Sequence, residues 1–138
     1  MGTATGQAPY VQKLKEVVQP VATPGNDLNT IIGKSEVVGA ISKVTYVPIT
    51  TITGADANTR KVELYNKKQD GTGTTLIATL QFNAAINAAA GDEKTITLTA
   101  VAADLNVAVG DVLQWQSTHV GTGIADPGGE MFVEITRD

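Results

Sequence analysis

From Glu36 onward, apolar and polar side chains alternate with a period of two residues, which is the pattern of half-buried β-strands. Residues 94–99 show it most clearly, because Ile96 and Leu98 alternate with threonines. The pattern predicts strands over residues 41–48, 60–66, 74–82, 94–99, 111–118 and 130–136. Two weaker stretches, residues 49–53 and 105–109, bring the expected total to about eight strands.

Turn-forming residues separate these strands. Asp70 and Gly71 predict a hairpin, since an Asp-Gly pair adopts the positive φ angles of tight turns. Residues 121–129 form a long loop before the last strand. Strands with one apolar face each, and without helices between them, predict two antiparallel sheets packed face to face. We therefore expect an all-β, jelly-roll-like two-sheet β-sandwich over residues 36–138.

The first 35 residues differ from the rest of the chain, because they contain Pro9, Pro20 and Pro24 together with several glycines. Proline removes a backbone hydrogen-bond donor and glycine costs ordering entropy, so a central sheet tolerates both poorly. We predict that residues 1–35 form an extended N-terminal arm outside the sandwich domain.

Within this arm, apolar side chains recur near helical spacing between Pro9 and Pro20, which predicts a short helix over residues 10–19. A helix of this length is marginal alone in water, so its apolar stripe needs a surface to cover. That surface is either the chain's own domain or a partner chain. The partner alternative makes the following five residues the candidate binding site: Tyr10, Val11, Leu14, Val17 and Val18.

Composition and charge exclude several classes of function. The chain has 138 residues and a mass of 14.3 kDa, which suits one domain. Its net charge of −4 argues against a nucleic-acid partner. No apolar run reaches the roughly 18 residues of a membrane helix, and no signal peptide is visible, so we expect synthesis in the cytoplasm and no membrane partner.

Few residues suggest catalysis or metal binding. Cysteine is absent and His119 is the single histidine, which excludes thiolate and multi-histidine metal sites. Ser117 and His119 lie two residues apart without a plausible orienting acid nearby in the sequence. Asp56 and Asn58 offer only the first two ligand types of a calcium loop, so an Asx turn is the simpler interpretation. We predict no enzyme activity, catalytic residue, metal or cofactor.

Several segments resemble a β-sandwich module of tailed-bacteriophage structural proteins. They read ISKVTYVP from Ile41, TGADANTRKVELYN from Thr53, DGTGTTLIATL from Asp70, NVAVGDVLQW from Asn106 and GTGIADPGGEMFVEI from Gly121. The resemblance covers about residues 36–136. Its motifs are glycine turns and strand starts, which specify a fold better than a role.

The resemblance implies a virion structural protein of the capsid decoration, or cement, type. Such a protein binds the exterior of the phage head, commonly as a homotrimer, and its arm bridges subunits of the major capsid protein. The alternative is a carbohydrate- or host-surface-binding module of a phage fibre or tail, with its site at residues 121–129 beside Trp115 and His119. The two differ in Trp115, which the cement function places in the core and sugar binding places on the surface.

Overall fold

Ten β-strands form the regular structure of residues 10–138, the part of the chain that this computed structural model describes. The longer strands are β1 Val11–Val18, β2 Leu28–Lys34, β3 Gly39–Pro48, β4 Thr59–Asn66, β5 Thr75–Gln81, β9 Val112–Val120 and β10 Gly129–Arg137. The two-residue strands are β6 Lys94–Thr95, β7 Thr97–Leu98 and β8 Asn106–Val107. A single 3-10 turn, Ala102–Leu105, precedes β8.

The strands form two five-stranded sheets, and every strand pair within them is antiparallel. Sheet 1 has the order β1-β10-β3-β6, with β8 also pairing with β3, and sheet 2 has the order β2-β9-β4-β5-β7. Their facing side chains form one core, in which Tyr46, Trp115 and Met131 are fully buried. The prediction of an all-β, two-sheet antiparallel sandwich is confirmed.

The strands predicted from residue 36 onward follow their patterns closely, with instructive departures. Residues 94–99 divide at the buried Ile96, because β6 pairs with β3 in sheet 1 and β7 pairs with β5 in sheet 2. Residues 49–53 form no strand and contribute one isolated bridge, from Ile52 to Ala88. Residues 105–109 supply only β8.

The predicted helix over residues 10–19 is wrong, because Val11–Val18 is strand β1 and pairs with β10 along its whole length. The sequence pattern did not indicate a strand, because the polar residues Gln12 and Glu16 occupy inward-facing positions where an alternating pattern would have apolar ones. A short helix is unstable alone, whereas the edge of β10 supplies main-chain partners for β1. Valines at three of the eight positions also favour the strand.

The chain before residue 36 is part of the sandwich wherever it is described. Strand β1 forms one edge of sheet 1, and β2 forms one edge of sheet 2 by pairing with β9. Pro20 and Pro24 fall in the connection between these strands, where a missing N–H costs no ladder bond. Residues 10–35 therefore do not form a separate arm, and the remainder of the predicted arm, residues 1–9, lies outside the described residues.

Candidate functional site

The five residues predicted to bind a partner lie on or beside β1, but the strand distributes them over two faces. Val18 is buried in the core, and Leu14 packs against the core from the edge. Val17 is 51% exposed and Tyr10 is 43% exposed, with the Arg137 guanidinium 5.4 Å from the centre of the Tyr10 ring. The residues thus do not form one apolar stripe. The inward ones stabilise the sandwich, and the outward ones are free to meet a partner.

The main chain of β1 presents an open edge. The N–H of Arg137 donates to the carbonyl of Tyr10 at 3.0 Å, and the register then pairs Val11 with Thr136 and continues without a break. In an antiparallel pair, alternate residues direct both main-chain groups toward the neighbouring strand. Even-numbered residues of β1 therefore bond to β10, whereas Val11, Lys13, Lys15 and Val17 direct their N–H and C=O groups outward.

Only one of these outward groups is satisfied by the described residues. The N–H of Val17 donates to Oε1 of its neighbour Glu16 at 3.1 Å. Strand β1 is the last strand of sheet 1 on this side, so no described strand pairs with the remaining outward groups. An exposed row of this kind is a template for an added strand.

An apolar groove of about 550 Å³ opens at the C-terminal end of β1. Its walls include Val17, Val47, Ile49 and the prolines Pro20 and Pro127. Ile49 is 71% exposed, which makes it the most exposed large apolar side chain in the described chain. Because the groove continues the outer face of β1, the open edge and the groove form one surface, hereafter the β1 surface.

Gln12 fixes the β1 edge to the second sheet. It is only 6% exposed, and its side-chain amide donates to the carbonyl of Lys34 at 3.1 Å and accepts from the N–H of Glu36 at 2.8 Å. Sequence reasoning missed this residue. Its signal was a glutamine at an inward position of a strand, where a polar side chain needs buried partners.

A second cluster is entirely buried; it joins side chains of β3, β4 and β9 to Asp126, which lies in the loop beside the groove residue Pro127. The hydroxyl of Tyr46 donates to Oδ1 of Asp126 at 2.8 Å, and the hydroxyl of Ser117 donates to Oδ2 at 2.7 Å. Arg60, which has no exposed surface, donates from Nη1 to Oγ of Ser117 at 3.2 Å. These four residues are the buried polar cluster, and the sequence patterns did not predict it.

Arg60 also holds two loops through their carbonyl oxygens. Its Nε donates to Ile124 at 2.7 Å, and its Nη2 donates to Pro24 at 2.9 Å and to Asn26 at 3.0 Å. Burial lowers the pKa of Arg60, and the charge of Asp126 opposes that shift. Burial likewise raises the pKa of Tyr46, and the Asp126 carboxylate adds to the effect. The cluster thus keeps Tyr46 neutral and a donor.

Asp126 connects this cluster to the groove. Its Oδ1 accepts from the N–H of Gly128 at 3.0 Å, and its main chain exchanges two hydrogen bonds with Val21 at 2.8 and 2.9 Å. Pro127, a wall of the groove, lies between these anchored residues. Gly128 has φ of +77°, which a side chain disfavours, and so suits this turn. The groove wall is therefore fixed from inside.

His119 has an acid partner that sequence spacing could not reveal. Oδ1 of Asp27 lies 2.7 Å from Nδ1 of His119 and accepts from the His119 main-chain N–H at 2.8 Å. The main-chain hydrogen bond, followed by the side-chain one, lowers the pKa of Asp27. Ser117 is fully buried and donates to Asp126, so its hydroxyl is engaged inside the cluster and is not presented to a substrate.

The loop that contains Asp56 and Asn58 contacts a neighbouring loop through a side chain. Oδ1 of Asn58 accepts from the N–H of Thr122 at 2.9 Å, while Asp56 is exposed. Among residues 10–138, no group of three or more histidine, aspartate or glutamate side chains is arranged to hold a metal ion. In the same range, no helix is long and apolar enough to cross a membrane.

Trp115 is a core residue, which is the position that the cement alternative expects. It has no exposed surface, and its ring lies 5.5 Å from that of Tyr46 at a tilt of 45°. Its Nε1 is the buried side-chain nitrogen that finds no hydrogen-bond partner in the described residues. Because the ring faces the core, it offers no stacking surface beside residues 121–129.

Comparison with known proteins gives limited guidance. No protein-family model and no curated protein matches the sequence. Among solved structures, the chain is similar to a chain of the "Structure of infectious bursal disease virus Gx strain", with a TM-score of 0.44 and 9% identity. The match covers 94% of this chain and 32% of that one, so this chain spans about a third of its neighbour's length. The likeness is a distant one, to part of a viral chain.

Proposed function

We propose that this protein is a non-enzymatic virion structural protein, a capsid decoration or cement protein that binds the exterior of a phage head through the β1 surface. Binding across the joint between major capsid subunits raises the free energy needed to separate them, and occupancy follows mass action. The expected assembly is a homotrimer on the capsid exterior.

The observation that carries the proposal is the β1 surface itself. An apolar groove of about 550 Å³, lined by exposed Val17 and Ile49, adjoins an open strand edge. Exposed apolar patches beside unpaired main-chain groups are typical of protein-binding surfaces. The resemblance of residues 36–136 to phage structural modules supports placing the partner in a virion.

The alternative, a carbohydrate- or host-surface-binding module of a fibre or tail, lacks the aromatic on which it depended. Sugar rings stack on exposed aromatic faces, and Trp115 is fully buried. His119 remains 38% exposed in its side chain, but it is engaged with Asp27. No observation at residues 121–129 favours a saccharide.

The proposal is tested by co-sedimentation of the protein with expanded, undecorated capsids of the virus that encodes it. Deleting residues 1–35 is unsuitable, because it removes β1 and β2 from the two sheets. We suggest Val17→Asp and Ile49→Asp, which place a charge in the groove at exposed positions. The matched control is Val109→Asp, an exposed valine that does not line the groove.

We expect the unmodified chain and Val109→Asp to sediment with capsids, and each groove variant to bind at least about tenfold more weakly, since a charge buried in an apolar interface is costly. Equal binding by all variants would move the interface to another face. Absence of binding by the unmodified chain would contradict the cement function, and glycan arrays would then test the alternative.

A further inference from the structure

Charges alternate across the outer face of sheet 1 and stop at the open edge. Lys43 of β3 lies 3.4 Å from Glu93 and is paired in register with Glu134 of β10. Glu134 is in turn paired with Lys13 of β1. The row thus reads acid, base, acid, base, and its last member, Lys13, has no described strand on its other side.

Lys15 extends the same feature along β1. It is two residues after Lys13, so both side chains lie on the same face of the strand. Its Nζ is 3.4 Å from Oε2 of Glu130, and both of these side chains are substantially exposed. The outward face of the edge strand therefore reads apolar, basic, basic, apolar. Those positions are Val11, Lys13, Lys15 and Val17, the same residues whose main-chain groups point away from β10.

A second copy of the chain fits this edge poorly. If two β1 strands paired antiparallel with their faces matched, a pairing centred on Leu14 would place Lys13 opposite Lys15. A pairing centred on either lysine would place it opposite itself. Like charges directly opposite one another destabilise a strand pair, and lysines at an edge discourage self-association. The self-pairings that overlap most of β1 therefore bring lysines together, which favours a partner of different composition over a second copy.

We propose that the β1 edge binds an extended segment of a partner protein that carries carboxylates at two alternate positions, flanked by apolar residues. The segment adds to sheet 1 as a further strand, with its carboxylates beside Lys13 and Lys15 and one apolar residue beside Val17 at the groove. The inference deepens the proposed function and rests on it, because it states the chemistry of the capsid segment that the β1 surface takes.

The probe is the capped peptide Val-Thr-Glu-Thr-Glu-Thr-Val, which reads the same in both directions and so fits either strand orientation. The control peptide replaces both glutamates with lysine. Binding to the full chain is followed by amide NMR titration and hydrogen exchange. We expect the glutamate peptide to bind at least about tenfold more tightly, and to slow exchange at Val11, Lys13 and Lys15 while Gln12 and Leu14 stay unchanged.

Two variants of the full chain test the backbone and the charges separately. Lys13→Pro removes an outward N–H while leaving the hydrogen bonds to β10, so the peptide should be lost from a folded protein. Lys13→Glu with Lys15→Glu should reverse the preference toward the lysine peptide. Lys94→Glu, on β6 at the opposite side of sheet 1, is the matched control and should bind as the unmodified chain does. Circular dichroism and the thermal midpoint confirm folding of each variant.

Several results would overturn the inference. If the two peptides bound equally tightly, or if neither bound, the inference would be wrong. The lysines would then serve only to prevent aggregation at the edge. A sedimentation shift from dimer to monomer in Lys13→Pro would assign the edge to a second copy. Unchanged capsid binding by that variant would remove the edge from the interface but leave the cement function intact. Peptide binding without capsid binding would reject the capsid as partner instead, so the two failures are distinguishable.

Discussion

The buried polar cluster and the β1 surface are neighbours, but they differ in whether their polar groups have hydrogen-bond partners within the chain. In the cluster, Asp126 accepts from Tyr46, Ser117 and Gly128, and Arg60 donates to three carbonyls and a hydroxyl. At the β1 surface, all outward main-chain groups of the strand except the N–H of Val17 lack a partner among the described residues, and large apolar side chains face solvent. The first region completes its interactions within the chain, whereas the second leaves them available.

This difference separates structural chemistry from functional chemistry. A buried arginine, a carboxylate and a serine could suggest a catalytic site, yet each is engaged and without access to solvent. Hydrophobic side chains and unpaired strand edges, in contrast, lower the free energy when a partner covers them. Because Asp126 anchors the turn that carries Pro127, the cluster supports the β1 surface from within.

The largest effect should come from breaking the cluster. Asp126→Ala removes the acceptor of two buried hydroxyls and leaves the Arg60 charge without its counter-charge, so we expect a loss of about 3 kcal/mol in the free energy of unfolding. Urea denaturation measures it. Asp56→Ala, an exposed aspartate, is the control and should stay within about 0.5 kcal/mol. A small loss in Asp126→Ala would mean that the cluster does not support the loops.

A smaller effect should follow from releasing the β1 edge from β2. Gln12→Ala deletes two partly buried hydrogen bonds, to the carbonyl of Lys34 and the N–H of Glu36, and leaves both main-chain groups without this partner, which costs about 1–2 kcal/mol. Gln116→Ala is a matched glutamine on the outer face of sheet 2, whose amide bonds only to Gln114, and it should change little. Faster hydrogen exchange across β1 in Gln12→Ala alone would locate the effect at the edge.

The sequence predicted the fold where alternation was unbroken. Strands β9 and β10 place Leu113, Trp115, Met131, Val133 and Ile135 on buried faces, and each pattern was visible in the residues. Strand β1 was not predicted, because the polar side chains of Gln12 and Glu16 interrupt the apolar pattern of its inward face. Gln12 is buried only because its partners lie on another strand, and local periodicity carries no information about such partners.

The candidate site could be predicted only in part. The five residues chosen on β1 include the exposed Val17 and Tyr10, but the open edge depends on strand order, which long-range pairing decides. The cluster was unpredictable for the same reason, since Tyr46 and Asp126 are 80 positions apart. The spacing of apolar residues indicated that this segment has apolar side chains to bury. Only the pairing of β1 in sheet 1 showed which of them face the core and which face solvent.

At the groove, we expect substitutions that would weaken partner binding to leave the free energy of unfolding almost unchanged. Val17→Ser and Ile49→Ser should change the free energy of unfolding by no more than about 0.5 kcal/mol, because both side chains are already more than half exposed. Val133→Ala, in the core, should cost at least about 1 kcal/mol. If the groove variants were as destabilised as Val133→Ala, the groove would be part of the fold and its exposure would not mark a binding surface.

The smallest effect concerns the exposed pair of Asp27 and His119, which offers a charged contact outside the cluster. Hydrogen bonds from His119 lower the pKa of Asp27 below its ordinary value of 3.8, so the stabilisation is present above that value and is lost as the pH falls through the lower, folded-state pKa. Asp27→Asn keeps an oxygen acceptor but removes the charge. Because both side chains are more than a third exposed, we expect a loss of only about 0.3 kcal/mol near neutral pH, shrinking as Asp27 of the unmodified chain protonates. Urea denaturation at about pH 6 and about pH 3 measures the difference between the two proteins. If the difference in the free energy of unfolding were the same at both pH values, hydrogen-bond geometry and not charge would stabilise this pair. The exposed pair would then resemble the buried polar cluster, where fixed hydrogen bonds hold the loops.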